Sequence, residues 1–519
     1  MRSTCGYCLA LLGLAIVPLV AAGQPVQPVA NIAAPAGTTV RDDWDIAYLD
    51  GHRIGYVRLK VEELTHSSGT KIYRASREMS LTVRRGPDFA RVQVISGTDE
   101  LADGRVLGVF MRQQLGAEVH QELIGKVEGN QLRVKAVGKE ANFEKAIPWN
   151  PNVVGTLGEL NLLKKRRPRP GDRFDYLVYE PTIDNMVTVH VAVEAFEEVA
   201  IAGQRPKLLR ASAVPNEIAG AQLPNQILWF DADYEIRRSM TSMPGIGYLV
   251  FERSNQKDAN KPLDPRQLPD IMERQSIKLN RRLVQPHALQ SITYRITLAK
   301  DRDPARAFVQ DGRQTVRAVN GQTVEVRVTA QPPGDPPAGT PAGAAGAPGP
   351  EFTVSNFFIT SDDERVKQHA RVAVGAETDP WRKAQLIESW VHGKMNAQNF
   401  SEAMAPASEV AKTLTGDCTE YAMLAAAMCR AAGVPSRTAI GLVYVDAQRQ
   451  PILGFHMWTE VYVRGAWVAI DATLGQGGVG PAHLKITDAS WHDTRSMTPL
   501  LPLMRVMLGE PAIEIVDAK

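Results

Sequence analysis

Apolar residues recur along this chain at two different periods, and the change from one to the other marks a change of architecture. From about 40 to 255 they alternate with polar residues in short runs broken by Gly, Pro, Asn and Asp, the pattern of strands joined by turns. Trp44-Asp-Ile-Ala-Tyr-Leu-Asp-Gly51 followed by Ile54-Gly-Tyr-Val-Arg-Leu-Lys-Val61 reads as a hairpin, and further strands are expected at 78–83, 90–95, 174–179, 187–195 and 227–230. The series predicts one large, curved, mainly antiparallel sheet. Beyond residue 350 the period becomes helical. Segments 362–374 and 379–395 read as helices, the second opening at Pro380 and turning Leu386, Ile387, Trp390 and Val391 inward.

A third helix follows, and its first turn carries chemistry. In Thr415-Gly-Asp-Cys-Thr-Glu-Tyr421, Asp417 suits an N-cap and Glu420 stands three positions later, as a capping box requires. Tyr421, Ala422, Leu424, Ala425, Met428, Cys429 and Ala432 continue the helical period, Gly433 ends it and Pro435 prevents its continuation. Cys418 then occupies the first helical position, where unpaired N–H groups and the helix dipole favour a thiolate. The expectation is a thiol that ionises below the reference pKa of about 8.5.

A nucleophilic thiol needs a base. Phe455-His-Met-Trp-Thr-Glu-Val-Tyr-Val463 alternates as a strand, Arg464-Gly465 is a two-residue turn, and Ala466-Trp-Val-Ala-Ile-Asp-Ala-Thr473 returns. If Val463 pairs with Ala466, Trp458 lies opposite Asp471 and His456 opposite Thr473. His456 and Asp471 are then diagonal neighbours on one face, within reach of each other. One more residue in the turn would break that parity. Cys418, His456 and Asp471 are thus candidates for nucleophile, base and orienting carboxylate.

Gly416-Asp-Cys418, Ala432-Gly-Val-Pro-Ser-Arg437, His456-Met-Trp-Thr-Glu460 and Trp467-Val-Ala-Ile-Asp471-Ala-Thr473 together resemble the transglutaminase-like superfamily in its bacterial form, over residues 380–475. The resemblance implies a papain-like fold with Cys418 as nucleophile, His456 as base and Asp471 as orienting residue. Met457 departs from the usual Ala after the His, and Ala472 from the Pro that often follows the Asp; neither removes a catalytic group. The family includes cross-linkers, peptidases, amide hydrolases and members without activity, so the resemblance implies the chemistry more closely than the substrate. More weakly, the opening hairpin, Pro170-Gly-Asp172, Leu228-Trp-Phe-Asp-Ala-Asp233 and Met243-Pro-Gly245 resemble periplasmic half-barrel domains of the lipoprotein-carrier type. Such folds hold an apolar ligand or serve as a platform.

Five hundred and nineteen residues exceed a single core. The expected order is a signal peptide at 1–23, a β domain at 40–255, a linker helix and small β unit at 256–331, a Pro/Gly/Ala-rich tether at 332–350, a catalytic domain at 351–495 and a C-terminal tail at 496–519. The fold class is multidomain α+β: an N-terminal, mainly antiparallel β domain and a C-terminal papain-like α+β domain. Arg2, the apolar stretch Leu9–Val20 and Val20-Ala-Ala22 form the elements of a secretory signal, and no other stretch is apolar enough to span a membrane. Cys5 and Cys8 leave with that signal. Cys418 and Cys429 lie eleven positions apart on one helix, about 16 Å, too far for a disulfide.

A formal net charge of +2 gives no preference for nucleic acid or acidic membranes. Lys164-Lys-Arg-Arg-Pro-Arg169 reads as a solvated loop before a Pro-Gly turn, with no interleaved aromatics of a nucleic-acid surface. His52, His120, His190 and His287 lack metal-ligand spacing, and His483 and His492 read as surface residues, so neither metal nor cofactor is expected. Gly475-Gln-Gly-Gly-Val-Gly480 has no flanking strand and helix for a phosphate cradle and reads as a mobile edge of the cleft. The Cys418 N–H supplies one oxyanion donor, and Trp390, Asn396 and Gln398 are candidates for the second.

The leading functional expectation is an exported thiol-dependent amide hydrolase or acyl transferase acting on a peptide or protein substrate. In it His456 takes the Cys418 proton and a thioester forms. The alternative is a non-catalytic peptide- or ligand-binding or assembly protein with a transglutaminase-like module. Oligomeric state is not readable from the sequence.

Overall fold

The structure is a computed structural model that describes residues 37–65, 69–85, 88–115, 119–136, 144–243, 245–271, 274, 276–330, 348–397, 404–447, 450–494 and 496–519. The expected signal peptide, most of the tether and Gln398 lie outside the described residues. The chain divides into two compact units, the first ending at Ile271.

In the first unit fourteen strands form one antiparallel sheet: β1 (Thr38–Leu49), β2 (His52–Thr65), β3 (Lys71–Arg85), β4 (Asp88–Leu101), β5 (Val106–Leu115), β6 (Val119–Glu128), β7 (Gln131–Ala136), β8 (Glu144–Pro148), β9 (Arg173–Glu180), β10 (Asn185–Glu198), β11 (Lys207–Pro215), β12 (Gln226–Phe230), β13 (Ile236–Met243) and β14 (Gly247–Ser254). Two meanders meet where β1 pairs with β14, leaving β8 and β9 as the edges. The expected antiparallel sheet is therefore present, with more strands than the sequence resolved. It curls: Val153, just after β8, bridges to Leu177 of β9, and the Trp149 and Tyr179 rings meet edge-on at 6.2 Å. Alternation supplies the core, with Val57, Met79, Leu81, Val94, Met111, Leu132 and Phe251 in one buried cluster.

Helix α1 (Thr156–Arg166) joins the two edges and packs Leu160 against Leu59, Val61 and Ala75. Its N-cap, Gly155, has no side chain, and the buried Glu100 carboxylate of β4 takes over by accepting from the Leu157 and Gly158 N–H groups at 2.7 and 2.9 Å. The basic run expected as a loop is divided: Lys164, Lys165 and Arg166 form the last turn of α1 and complement the helix dipole, while residues 167–169 follow outside the helix before the Pro-Gly turn. Lys164 also pairs with Glu235 at 2.6 Å. A cavity of about 50 Å³ beside α1 has a mixed lining, with Arg77, Glu159 and Glu180 among valines such as Val109, Val153 and Val178.

The second unit holds helices α2 (Glu364–Val374), α3 (Pro380–Lys394), α4 (Ala407–Thr413) and α5 (Cys418–Ala431) on a five-stranded sheet. That sheet comprises β15 (Ile277–Lys278), β21 (Ser436–Val445), β22 (Ile452–Val463), β23 (Ala466–Ile470) and β24 (His483–Ala489). A two-stranded parallel pair, β19 (Asn396–Ala397) and β20 (Thr415–Gly416), lies just before α5. The expected helices at 362–374 and 379–395 start one or two residues later, after the N-caps Asp363 and Asp379.

A four-stranded sheet completes this unit: β16 (Ser291–Leu298), β17 (Gln314–Ala318), β18 (Thr323–Thr329) and β25 (Pro511–Ala518). The C-terminal stretch, expected as a tail, is helix α6 (Leu501–Leu508) followed by β25, which covers the open side of β16. Pairing across more than two hundred residues has no local signature. Gln314 joins this sheet to β24, donating to the Lys485 carbonyl and accepting from its N–H at 2.7 and 2.9 Å. Among the described residues no helix is long and apolar enough to cross a membrane.

Candidate active site

Helix α5 is hydrophobic on nearly all sides and buried from Thr419 to Arg430, the condition of a central helix. Its capping box is formed as the spacing predicts: Asp417 accepts from the Thr419 N–H at 2.9 Å and Glu420 from the Asp417 N–H at 3.0 Å. Cys418 is the first helical residue and keeps some accessible surface, whereas Cys429 is fully buried; both are free thiols. Gly416, just before the cap, has φ +151°, and a Cβ there would collide with the Glu420 side chain.

The hairpin β22–β23 has the parity expected from its two-residue turn. Val463 pairs with Ala466 and Thr459 with Ile470, so Asp471 leaves the ladder one step before it would face Trp458. Arg464 and Gly465 both have positive φ, as a primed turn requires. His456 Nε2 lies 2.7 Å from Asp471 Oδ2, and the Cys418 thiol stands close enough to His456 that each shifts the other's ionisation. The three residues singled out from the sequence are thus contiguous, with His456 in the middle.

Their charges are set by burial and by one another. Burial opposes the Asp471 charge, yet His456 and His483 facing it hold the carboxyl far below its ordinary range. Burial likewise opposes a charged His456, but the Asp471 charge and hydrogen bond prevail and raise it to about 10. The Cys418 thiol is pushed up, by burial first and then by the Asp417 carboxylate, while His456 and the Met457 N–H pull it back only in part. This corrects the expectation of an easily ionised thiol: burial, and after it the carboxylate that caps the helix, offset the helix-end effect.

Two residues dismissed on sequence grounds lie here. His483, expected on the surface, is fully buried and its Nε2 lies 2.9 Å from the same Asp471 Oδ2 that His456 uses. His287 packs edge-on against His483 with ring centroids 5.4 Å apart. His456 Nε2, His483 Nε2 and Asp471 Oδ2 lie within 4.8 Å of one another, close enough to be weighed as metal ligands. Both nitrogens, however, approach the carboxylate oxygen itself at hydrogen-bond length, and that contact would have to open for an ion. His492 lies at the surface as expected.

Glu388 of α3 was also missed. It is 1% exposed, and its Oε1 accepts from the backbone N–H groups of Asp471 and Gly477, each at 3.2 Å. The glycine-rich loop is therefore tied to α3 rather than standing as a free edge. Gly475 there has φ +63°, and a Cβ would run into the His392 ring. No sequence signal marks Glu388, His483 or His287, since each acts through a neighbour distant in the chain.

Of the proposed oxyanion donors, Asn396 lies in the β19–β20 pair opposite Thr415, close in sequence to Cys418. The Trp390 ring lies on His369 at 4.7 Å, with its indole nitrogen buried and unpartnered. The motif residues Arg437 and Glu460 serve a different purpose. Glu460 accepts from Arg437 and from the buried Lys485, each at 2.8 Å, and Asp488 joins both cations. This network fastens β21, β22 and β24 behind the site.

Residues 367–472 match the family model of the transglutaminase-like superfamily. An uncharacterised protein of Haemophilus influenzae is 31% identical over 134 residues, 21% of this chain, and the match spans 36% of that relative's length. A solved structure of a candidate cysteine protease from Cytophaga hutchinsonii is 16% identical over 45% of this chain and 83% of its own, with a TM-score of 0.27. A β-barrel-like protein of unknown function from Brucella abortus is 10% identical over 41% of this chain and 95% of its own, with a TM-score of 0.30.

Proposed function

Starting from a chain that carries a transglutaminase-like domain at residues 367–472, we propose that it is an exported thiol-dependent amide hydrolase or acyl transferase with Cys418, His456 and Asp471 as its catalytic residues. The observation that carries this reading is the buried His456 imidazole, held by Asp471 at 2.7 Å and close enough to the Cys418 thiol at the mouth of α5 to shift its ionisation. A base held by a carboxylate and set beside a nucleophilic thiol is the arrangement that acyl transfer requires.

The proton of the Cys418 thiol passes to His456, giving a thiolate beside an imidazolium that Asp471 stabilises. The sulfur attacks the amide carbonyl carbon, an S–C bond forms and the carbonyl electron pair moves to oxygen. The Cys418 N–H, at the first helical position with no helical carbonyl to bond, faces that oxyanion. Collapse breaks the C–N bond, His456 donates its proton to the departing nitrogen and a thioester remains. The now neutral His456 takes a proton from water or from a lysine amine, which attacks the thioester and releases the thiolate. Water gives amidase or peptidase action; an amine gives cross-linking. The substrate class is a peptide or protein amide, and the secretory-signal pattern at 1–23 supports a reaction outside the cytoplasm.

The test is the alkylation rate of Cys418 against pH, read by mass spectrometry in wild type and in His456→Ala, with Cys429 as internal control. Labelling of Cys418 that exceeds Cys429 manyfold and collapses in the variant supports the reading. Equal labelling of both thiols, unchanged in the variant, sinks it and leaves the non-catalytic binding module.

A further inference from the structure

We propose that His483 is a positioning residue of this site: its Nε2–H shares the Asp471 Oδ2 atom with His456 and so limits how tightly Asp471 holds the proton on His456. The inference rests on the catalytic reading above and adds a residue that the sequence motifs do not contain.

The argument begins with the lone pairs of Asp471. Its Oδ1 accepts from the backbone N–H groups of Thr473 and Leu474 at 2.9 and 3.3 Å. Its Oδ2 meets His456 Nε2 at 2.7 Å and His483 Nε2 at 2.9 Å, so both oxygens are fully engaged. An ionised carboxylate only accepts, and each ring must therefore present N–H at Nε2. For a neutral His483 the bare nitrogen is then Nδ1, and Nδ1 is buried without a hydrogen-bond partner. Burial favours that neutral form, lowering His483 to about 4. The ring cannot swing away, because Trp458 packs edge-on at 5.2 Å and His287 at 5.4 Å.

A donor shared on one oxygen weakens the acceptor for the other donor. Asp471 with both imidazoles is a weaker partner for the His456 imidazolium than Asp471 with His456 alone. The remaining ionisable groups facing the cluster are Glu388 of α3 on the Asp471 backbone, His287 on the His483 ring, Cys418 of α5 on His456, and Arg313, whose charge reaches His483. None of these places a second side-chain donor on Oδ2, so the tuning belongs to His483.

Two variants separate tuning from packing. His483→Leu removes the donor; His483→Gln keeps an amide N–H near the position of Nε2. The measurement is the pH at which His456 loses its proton, followed by NMR of ¹⁵N-histidine-labelled full-length protein and by the alkylation profile of Cys418. We expect that pH to rise by about half a unit or more in His483→Leu and to stay near wild type in His483→Gln. No shift in a folded His483→Leu, or equal shifts in the two variants, overturns the proposal.

If His483→Leu does not fold, the wild-type spectrum decides. His483 must appear as the neutral Nε2–H tautomer from pH 6 to 8, and a cation or the Nδ1–H tautomer overturns the proposal. Zn²⁺ at one equivalent should leave both histidine signals in place; capture of the ion by His456 and His483 would make the cluster a metal site and also overturn it. Loss of the His456 dependence of alkylation would fail the catalytic reading alone, while the tautomer of His483 is read without any activity.

Discussion

The Glu388 carboxylate lies 3.2 Å from the backbone N–H of Asp471, so the residue that orients His456 is itself held from behind by a buried acid of a different element. The same oxygen gathers Gly477, which makes Glu388 the clamp between α3 and the turn after β23. Its second oxygen is buried without a partner, an arrangement that suits a protonated acid.

Burial raises Glu388 to about 7, above the ordinary 4.5 of an unfolded chain. Its favourable contribution is therefore complete below pH 4.5 and is lost as pH rises through 7, a cost on the order of 3 kcal/mol at alkaline pH. Glu388→Gln should remove this dependence. Thermal melts of the variant should be flatter than wild type between pH 5 and 7 and equal or higher in Tm at pH 8.

Asp471→Asn should remove the charge that keeps His456 protonated. Burial then dominates, and the His456 pKa should fall from about 10 to below its ordinary value of 6.5. Turnover of an amide substrate should drop about 10²- to 10⁴-fold, with the fold retained by circular dichroism.

Asp417 caps α5 and at the same time opposes the Cys418 thiolate. Asp417→Asn keeps a capping oxygen and removes the charge. Alkylation of Cys418 at pH 7 should become about three- to tenfold faster, with little change in Tm. A slower rate would mean that the capping carboxylate does not suppress the thiolate.

The network behind the site should dominate stability. Burial opposes the Glu460 charge, but Lys485 and Arg437 hold the carboxyl well below its ordinary value. Its contribution is present above pH 4.5 and is lost as pH falls toward the lowered value. Glu460→Gln removes the buried charge between Lys485 and Arg437 and leaves Asp488 as the one carboxylate they share, and urea denaturation at pH 7 should show a loss of about 3 kcal/mol.

Local features of the chain were legible because they repeat or because they close on themselves. The strands of the first unit follow from period-two alternation, and α5 with its capping box follows from residues within sixteen positions of one another. The His456–Asp471 contact could be derived on paper because a two-residue turn leaves one register. The helical half of the basic run, residues 164–166, was not legible because α1 has a glycine at its N-cap and borrows its cap from Glu100 of β4. The C-terminal strand was missed because its partner, β16, lies more than two hundred residues earlier.

By itself the sequence determined the two periods, the capped helix with its cysteine, and the hairpin that sets a histidine beside an aspartate, since each depends on dihedral preferences and spacing within one stretch. Only the tertiary structure decided the charge state of those groups. The pKa values of Cys418 and His456 depend on how much water the fold removes and on which carboxylates, Asp417 or Asp471, it leaves beside them. His483 and Glu388 took their places for the same reason: a buried hydrogen bond is set by what the fold brings near, and no local pattern records it.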